Sequence, residues 1–318
     1  MDINMIAPEL RGRVRWMPTM RSQTKFSLWL GRRITRMIPS SKVDGVDAEN
    51  HRGAPRMRLY RPRNVRTNAA LLWIHGGGFM MGAPAMDDHF CAETCRSLGI
   101  TIASVDYRFA PEHPFPAPMD DALAVWDWLQ ASTKTLGIDG DRIVLGGQSA
   151  GGGLAAGLIQ RIHDAGGPRA LGQWLFCPML DDRTVNRHEL DSIDYPLWSN
   201  RSNLVGWTAY LGGTPGGFTA PPYASPSRRE DLAGLPPAWI GVGDIDLFFD
   251  EDRAYAERLR QAGVDATFVQ VSGAPHGFEG WARNTVLGRT YLKKARSWLG
   301  DIVGAPYETE AALQSVHA

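Results

Sequence analysis

The chain of 318 residues has few cysteines, no excess of either charge and no long apolar run. Its three cysteines, Cys91, Cys95 and Cys177, are too few for a disulfide framework, and we expect buried free thiols, as is typical of a reducing compartment. No stretch reaches the roughly 18 apolar residues of a membrane-spanning helix, and the N-terminus lacks the pattern of a signal peptide. The sequence therefore predicts a cytoplasmic protein without a membrane span.

The charges balance over the whole chain but not along it. Lys and Arg number 34, as do Asp and Glu, which argues against nucleic acid as a partner because phosphate binding needs a basic face. Residues 1–68 carry 15 basic and 5 acidic side chains. Two interpretations of this basic segment are open. We favour a helical segment held by salt bridges on an acidic body; the other is attachment to an acidic membrane or partner surface.

Apolar β-prone runs alternate with helix-period stretches from residue 57 onward. Several of the runs are continuous Val, Ile, Leu and Ala, as expected for buried parallel strands. The alternation predicts an α/β fold, with a mostly parallel sheet flanked by helices on both faces. The predicted strands are 58–60, 70–74, 101–105, 143–145, 174–176, 239–242 and 267–271, and the predicted helices lie near 87–98, 120–131, 150–164, 250–263 and 282–299.

Two regions break this alternation. Residues 1–50 contain scattered apolar positions, and residues 183–235 are rich in loops, Pro and Gly. Neither has the pattern of an independent domain, and both could lie across one end of the sheet. We therefore predict an N-terminal cap segment at 1–50 and a catalytic domain at 51–318 that carries a second cap insertion at 183–220.

A G-x-S-x-G pentad, residues 147–151, follows the predicted strand at 143–145. A serine on a sharp strand-to-helix turn needs glycines two residues to either side, since larger side chains would collide with neighbouring elements. The turn also brings Ser149 to the positive end of the next helix, where an oxyanion is favoured. Ser149 is therefore a candidate nucleophile.

A second glycine-rich turn, His75-Gly-Gly-Gly-Phe79, follows the predicted strand at 70–74. Successive glycines allow main-chain N–H groups to turn toward a ligand, and in hydrolases such a loop supplies oxyanion donors. The expected donors are the N–H groups of Gly77, Gly78 and Ala150. We expect His75 to be structural, holding the loop through hydrogen bonds.

A serine nucleophile needs a base, and the base needs a carboxylate to orient it. Of eight histidines, His276 is the one on a loop directly after the last predicted strand. The turn after the strand at 239–242 holds two candidate carboxylates, Asp244 and Asp246. Asp250 and Glu251 are expected to begin the next helix, where negative charge is favourable.

Together these motifs resemble the hormone-sensitive-lipase-like (bacterial family IV) esterases of the α/β-hydrolase superfamily, over roughly residues 55–300. The similarity includes HGGGF at 75–79, DYRFAPEHPFPA at 106–117, GQSAGG at 147–152 and HGF at 276–278. Register with the family's acidic motif, Asp-Pro-Leu-x-Asp-Glu, selects Asp246 rather than Asp244. The sequence departs from the family at Gln148, where Asp is usual, at Leu247, where Pro is usual, and at Gly153, where Asn is common.

The resemblance implies an α/β-hydrolase fold with a helical cap and a serine carboxylesterase with a Ser149, His276 and Asp246 triad. It implies hydrolysis of short- to medium-chain esters through an acyl-enzyme, without a cofactor or a metal, and a homodimer by analogy. The same triad could serve an amidase, lactonase or deacetylase. A non-catalytic receptor of this fold is also conceivable, although such receptors lose the base and His276 is retained.

Overall fold

A computed structural model describes residues 2–15, 25–38 and 40–307. Residues 16–24 of the predicted N-terminal cap segment lie outside the described residues. The strands are β1 Val46–Asn50, β2 Met57–Pro62, β3 Ala70–Ile74, β4 Thr101–Val105, β5 Ile143–Gln148, β6 Gly172–Phe176, β7 Ala238–Gly243 and β8 Ala266–Val271. The α-helices of the described residues are α1 Pro8–Val14, α2 Lys25–Arg36, α3 Asp88–Leu98, α4 Ala117–Ala131, α5 Thr133–Leu136, α6 Ala150–Ala165, α7 Asn200–Leu211, α8 Phe249–Gln261, α9 Phe278–Trp281 and α10 Val286–Val303.

The eight strands form one mostly parallel sheet, in the order β1-β2-β4-β3-β5-β6-β7-β8. The pairs β1–β2 and β2–β4 are antiparallel, and the other pairs are parallel. Each of the seven predicted strands overlaps an observed one, and the predicted α/β fold is confirmed. Because the parallel strands share a direction, the loops after β3, β5, β7 and β8 all leave the sheet at one edge.

A hydrophobic core covers each face of the sheet. In β3, Leu71 and Trp73 belong to one core, which includes residues of α3 and α10. Leu72 and Ile74 point to the other face and join the second core, which includes residues of α4, α6 and α8. Since β3 is buried on both faces, its sequence is a continuous apolar run rather than an alternating one.

The first strand is absent from the sequence-based prediction. Strand β1 has the sequence VDAEN and leaves four of its five residues exposed, so its composition is that of a polar edge rather than a buried strand. It pairs with β2 along its whole length. The sheet therefore begins at Val46.

Three arginines of the basic N-terminal part of the chain, Arg32, Arg56 and Arg58, form ion pairs with carboxylates outside it. Buried Arg58 pairs with Asp88 at 2.6 Å. Arg32 of α2 pairs with Glu112 at 2.8 Å, and three further arginines have carboxylate partners: Arg56, Arg61 and Arg63. Within the described ranges, no helix combines the length and the apolarity that a membrane crossing requires.

Candidate active site

Ser149 lies on the tight turn between β5 and α6, in a backbone conformation that residues other than glycine rarely adopt. Its φ is 54° and its ψ −122°, and three main-chain hydrogen bonds hold it there. The Ser149 N–H donates to the carbonyl of Phe176 at 2.8 Å, and its own carbonyl accepts from the N–H groups of Gly153 at 3.0 Å and Met179 at 2.9 Å. The conformation is therefore fixed by the end of β6, the loop after β6 and the first turn of α6.

The glycines of the pentad are required by close main-chain approach. A Cβ on Gly147 would collide with the main chain of Gly151. A Cβ on Gly151 would collide with the carbonyl oxygens of Ile74 and His75, at the end of β3. The spacing of the pentad thus follows from the packing of the turn against the next strand.

Ser149, His276 and Asp246 form a continuous hydrogen-bonded chain, although they are far apart in sequence. The Nε2 atom of His276 lies 2.9 Å from Ser149 Oγ, and its Nδ1 atom lies 2.8 Å from Asp246 Oδ2. The second oxygen of Asp246 accepts the N–H of Phe248 at 3.0 Å. All three side chains are buried, with 4 to 8% of their surface exposed, so solvent competes little for these hydrogen bonds.

The neighbouring acids have other roles. Asp244 accepts the N–H of Gly273 at 2.7 Å and so supports the loop that leads to His276. Asp250 and Glu251 lie in the first turn of α8, as expected. Glu251 is nevertheless buried, where it accepts the N–H groups of Leu180 at 2.7 Å and Asp181 at 3.1 Å. It therefore stabilises the loop after β6 in addition to the start of its own helix.

The environment of His276 favours a protonated ring. Burial by itself would lower the pKa of His276, but the charge of Asp246 and its hydrogen bond, with a further contribution from the charge of Glu279, hold that pKa above its ordinary value. The side chain is therefore suited to receive a proton from Ser149. His75 is different, because burial lowers the pKa of His75 to about 4 and keeps its ring neutral.

The loop after β3, residues 75–82, is termed the oxyanion loop below, after the role that the sequence predicts for it. Gly77 and Gly78 have φ values of 124° and 60°, which favour glycine. Among the hydrogen bonds of the described residues, none uses the N–H of Gly77, Gly78 or Ala150. His75 supports the loop: its Nδ1 atom lies 2.7 Å from the Gly76 carbonyl, and its ring stacks on Tyr107.

Comparison with known proteins identifies the family of the chain. A sequence model of a family described as alpha/beta hydrolase fold matches residues 71–280. Esterase LipI of Mycobacterium tuberculosis is 33% identical over 248 residues, which are 77% of each chain. A solved structure described as a bacterial heroin esterase has a TM-score of 0.84 and 34% identity, and the match covers 95% of this chain and 99% of that one. An esterase from the bacterial hormone-sensitive lipase family has a TM-score of 0.76 and 28% identity, with coverage of 94% and 99%.

The chain belongs to the hormone-sensitive-lipase-like esterase family of the α/β-hydrolase fold. It is therefore a hydrolytic enzyme. The match covers most of the chain, including the strands that carry the oxyanion loop, Ser149 and the Asp246 turn.

Aromatic side chains enclose the triad of this hydrolase. Phe248 meets the His276 ring edge-on at 5.3 Å, and Trp198 lies 6.5 Å from it, measured between ring centroids. Trp198 also packs so closely on Gly78 that a Cβ on this glycine would collide with the indole. From α7, Tyr210 stacks on Phe79 at 4.0 Å. The loop-rich region predicted as a cap insertion thus contacts the oxyanion loop through aromatic rings.

One trio of side chains has the spacing of a metal site among the described residues. The ligand atoms of Cys177, Asp246 and His276 lie within 4.8 Å of one another. Both ring nitrogens of His276 already have hydrogen-bond partners in Asp246 and Ser149. Burial raises the pKa of the Cys177 thiol well above its ordinary value, which disfavours the thiolate that a metal would need. The donor set therefore fits a hydrogen-bonded triad better than a metal centre.

Sequence reasoning missed two contacts of this hydrolase. Gln148 donates a hydrogen bond to Glu279, and Arg32 of α2 donates to the carbonyl oxygens of Met80 and Ala110 beside the oxyanion loop. Both contacts join segments far apart in the chain, and no local spacing points to them. The only signal is the chemical departure at Gln148 from the family pattern.

Proposed function

We propose that this hydrolase is a serine carboxylesterase that cleaves short- to medium-chain carboxylic esters through an acyl-enzyme intermediate. The observation that carries the proposal is the continuous chain of hydrogen bonds from Asp246 through His276 to Ser149. The relatives named as esterases support esters as the substrate class. The main-chain N–H groups of Gly77, Gly78 and Ala150 have no acceptor among the described residues, so they are available to an oxyanion.

Acylation begins when His276 Nε2 accepts the proton of Ser149 and Oγ attacks the ester carbonyl. The carbonyl π electrons move to its oxygen, and the N–H groups of Gly77, Gly78 and Ala150 stabilise the oxyanion. The tetrahedral intermediate then collapses. The bond to the alcohol oxygen breaks, and the imidazolium returns the proton to the departing alcohol.

Deacylation repeats these steps with water. His276 takes a proton from the water molecule that attacks the acyl-enzyme, and it then protonates Ser149 as the carboxylic acid leaves. Asp246 fixes the ring with its proton on Nδ1 and stabilises the imidazolium in both halves of the reaction. No other reactant is needed, since the ester and one water give the acid and the alcohol.

Labelling with a fluorophosphonate tests the nucleophile. We expect the wild-type enzyme to be labelled at Ser149, since an activated serine attacks the phosphorus, and we expect Ser149→Ala to lose the label. Peptide mass spectrometry identifies the labelled residue. Ser192→Ala, at an exposed serine, is the control and should be labelled like the wild type. A folded wild-type enzyme that takes up no label would contradict the serine mechanism.

The aromatic enclosure of the triad supports the limit on chain length. Trp198 lies between Gly78 and His276, close to where an acyl or alcohol chain would extend. With p-nitrophenyl esters of rising length, we expect kcat/KM to peak at short to medium acyl chains. Trp198→Ala should move the peak to longer chains, whereas Trp128→Ala on α4 should not. Best turnover of long emulsified triglycerides by the wild type would refute the proposed chain length.

The cytoplasmic location and the homodimer stay predictions from the sequence. The three cysteines are free and buried, which agrees with the expected reducing compartment. Fractionation of the source cells and sedimentation of the pure enzyme would test the two predictions.

A further inference from the structure

Gln148, the last residue of β5, connects the nucleophile turn to the loop that carries His276. Its Nε2 atom donates to Glu279 Oε1 at 2.5 Å, and Glu279 is the third residue after His276. The Gln148 amide also lies beside the oxyanion loop. If Gly76 carried a Cβ atom, that atom would be 3.4 Å from Gln148 Oε1. A Cβ on Gly277 would be 3.4 Å from Nε2. One side chain therefore contacts both loops on which the proposed chemistry depends.

The carboxyl group of Glu279 is buried and lacks a basic partner. The side chain is 5% exposed, and within the part of the chain that the structure describes it forms no ion pair with Lys or Arg. Its side chain accepts a strong hydrogen bond from Gln148, a long one of 3.9 Å from the Cys177 thiol and one from its own main-chain N–H. A buried carboxylate is costly unless it is hydrogen-bonded or faces a positive charge. The imidazolium of His276 is the positive charge that the reaction would create nearby.

Other titratable groups face the same region from three neighbouring elements. Burial raises the pKa of Cys177, Asp252 and Tyr291 well above their ordinary values, which favours their neutral forms. Burial also holds the pKa of Glu279 above its ordinary value, although hydrogen bonds from its own main-chain N–H and from Gln148, and the charge of His276, lower it. Asp246 and, to a smaller extent, Glu279 are the two groups whose negative charge raises the pKa of His276.

We propose that Gln148 and Glu279 form a positioning pair that fixes the histidine loop against the nucleophile turn and keeps a second negative charge beside His276. This inference rests on the proposed esterase mechanism, in which His276 becomes positively charged in each half of the reaction. Glu279 supplies the carboxyl group of this pair, and Gln148 supplies the donor.

Glu279→Gln tests the charge while it preserves the shape of the side chain. A negative charge beside His276 stabilises the protonated ring, so its removal should lower the pKa of His276. We expect the acidic limb of the kcat/KM profile to move to lower pH by about half a pH unit or more. We also expect kcat to fall several-fold with little change in KM, since the charge acts on the transition state. A purely structural role would not move the acidic limb.

The charge swap Gln148→Glu with Glu279→Gln provides the matched rescue. It keeps one carboxyl and one amide in the same contact, so it should restore both the acidic limb and most of the lost kcat. Gln148→Glu alone sets two carboxyl groups against each other and should be less active than the swap. An acidic limb unchanged in Glu279→Gln, or a swap no better than either single variant, would overturn the proposal. If Glu279→Gln does not fold, the double variant alone provides the test. It must then reproduce the pH profile of kcat/KM of the wild type, and a different profile would overturn the proposal.

The pH dependence of fluorophosphonate labelling separates this inference from the proposed function. Labelling needs the Ser149 nucleophile and its base but no particular ester. If the wild type is labelled and Glu279→Gln shows the same pH dependence of the labelling rate, the positioning pair fails while the esterase mechanism stands. If the wild type is not labelled at all, the proposed function itself fails.

Discussion

The nucleophile turn and α2 both contact the oxyanion loop, but they do so in opposite ways. The turn meets the loop through main-chain atoms, with Gly151 against the carbonyl oxygens of Ile74 and His75. Helix α2 meets it through side chains. Arg32 of that helix donates to the Met80 carbonyl at 2.7 Å, and it also bonds Ala110 and Glu112.

The nucleophile turn and α2 also differ in how far their residues are buried. Residues 149–153 are all buried. Helix α2 buries Leu28 and Thr35, whereas Ile34 is 57% exposed and Met37, just after the helix, is 79% exposed. A contact between two main chains cannot be adjusted by side-chain repacking, so it fixes the geometry that every substrate must meet. A segment held by side chains can change without altering that geometry.

The largest effect that we expect comes from adding one methyl group to the nucleophile turn. In Gly151→Ala the new Cβ would collide with the carbonyl oxygens of Ile74 and His75. These are main-chain atoms at the end of β3 and the start of the following loop, so they cannot move aside as a flexible side chain could. We expect a loss of about 3 kcal/mol or more in the free energy of unfolding, together with loss of Ser149 labelling. Urea denaturation and fluorophosphonate labelling measure the two effects.

Gly12→Ala is the matched control for that substitution. Gly12 lies in α1 with nothing within 4 Å of a Cβ, and alanine favours a helix over glycine by up to about 1 kcal/mol. This variant should be as stable as the wild type or slightly more stable, and fully labelled. A stable and reactive Gly151→Ala enzyme would show that the main-chain contact is adjustable, and the contrast with α2 would disappear.

Much of the geometry around Ser149 is predictable from local sequence. The G-x-S-x-G spacing reports a steric requirement within five residues, and the HGGGF run marks a loop whose main chain turns inward. Parallel strands bring the loops after β3, β5, β7 and β8 to one edge, so Ser149, His276 and a carboxylate from the turn after β7 are expected to meet there. The choice of Asp246 over Asp244 needs the family resemblance. The structure brings the side chains of Ser149, His276 and Asp246 within hydrogen-bonding distance.

Contacts between distant side chains are not predictable in this way. Strand β1 lies at the edge of the sheet and is mostly exposed, so its polar composition resembles that of a loop. The contact from Gln148 to Glu279 spans 131 positions, and that from Arg32 to Glu112 spans 80. Each depends on how whole elements pack, for which a single sequence carries no periodic or spacing signal. The family resemblance could identify Gln148 as a departure, but not its partner.

The smaller effect that sharpens the comparison is expected from Arg32→Ala. This change removes the hydrogen bonds to Met80, Ala110 and Glu112 and leaves two carbonyl oxygens to water, since the Arg32 side chain is 20% exposed. We expect a loss of about 1–2 kcal/mol in the free energy of unfolding and a rise in KM that exceeds any fall in kcat, because the triad does not touch α2. Met37→Ser, at an exposed position beside the same helix, should change stability by less than about 0.5 kcal/mol. A fall in kcat as large as that expected for Gly151→Ala would mean that α2 also sets the geometry of the active site. The contrast between the main-chain contacts of the nucleophile turn and the side-chain contacts of α2 would then be wrong.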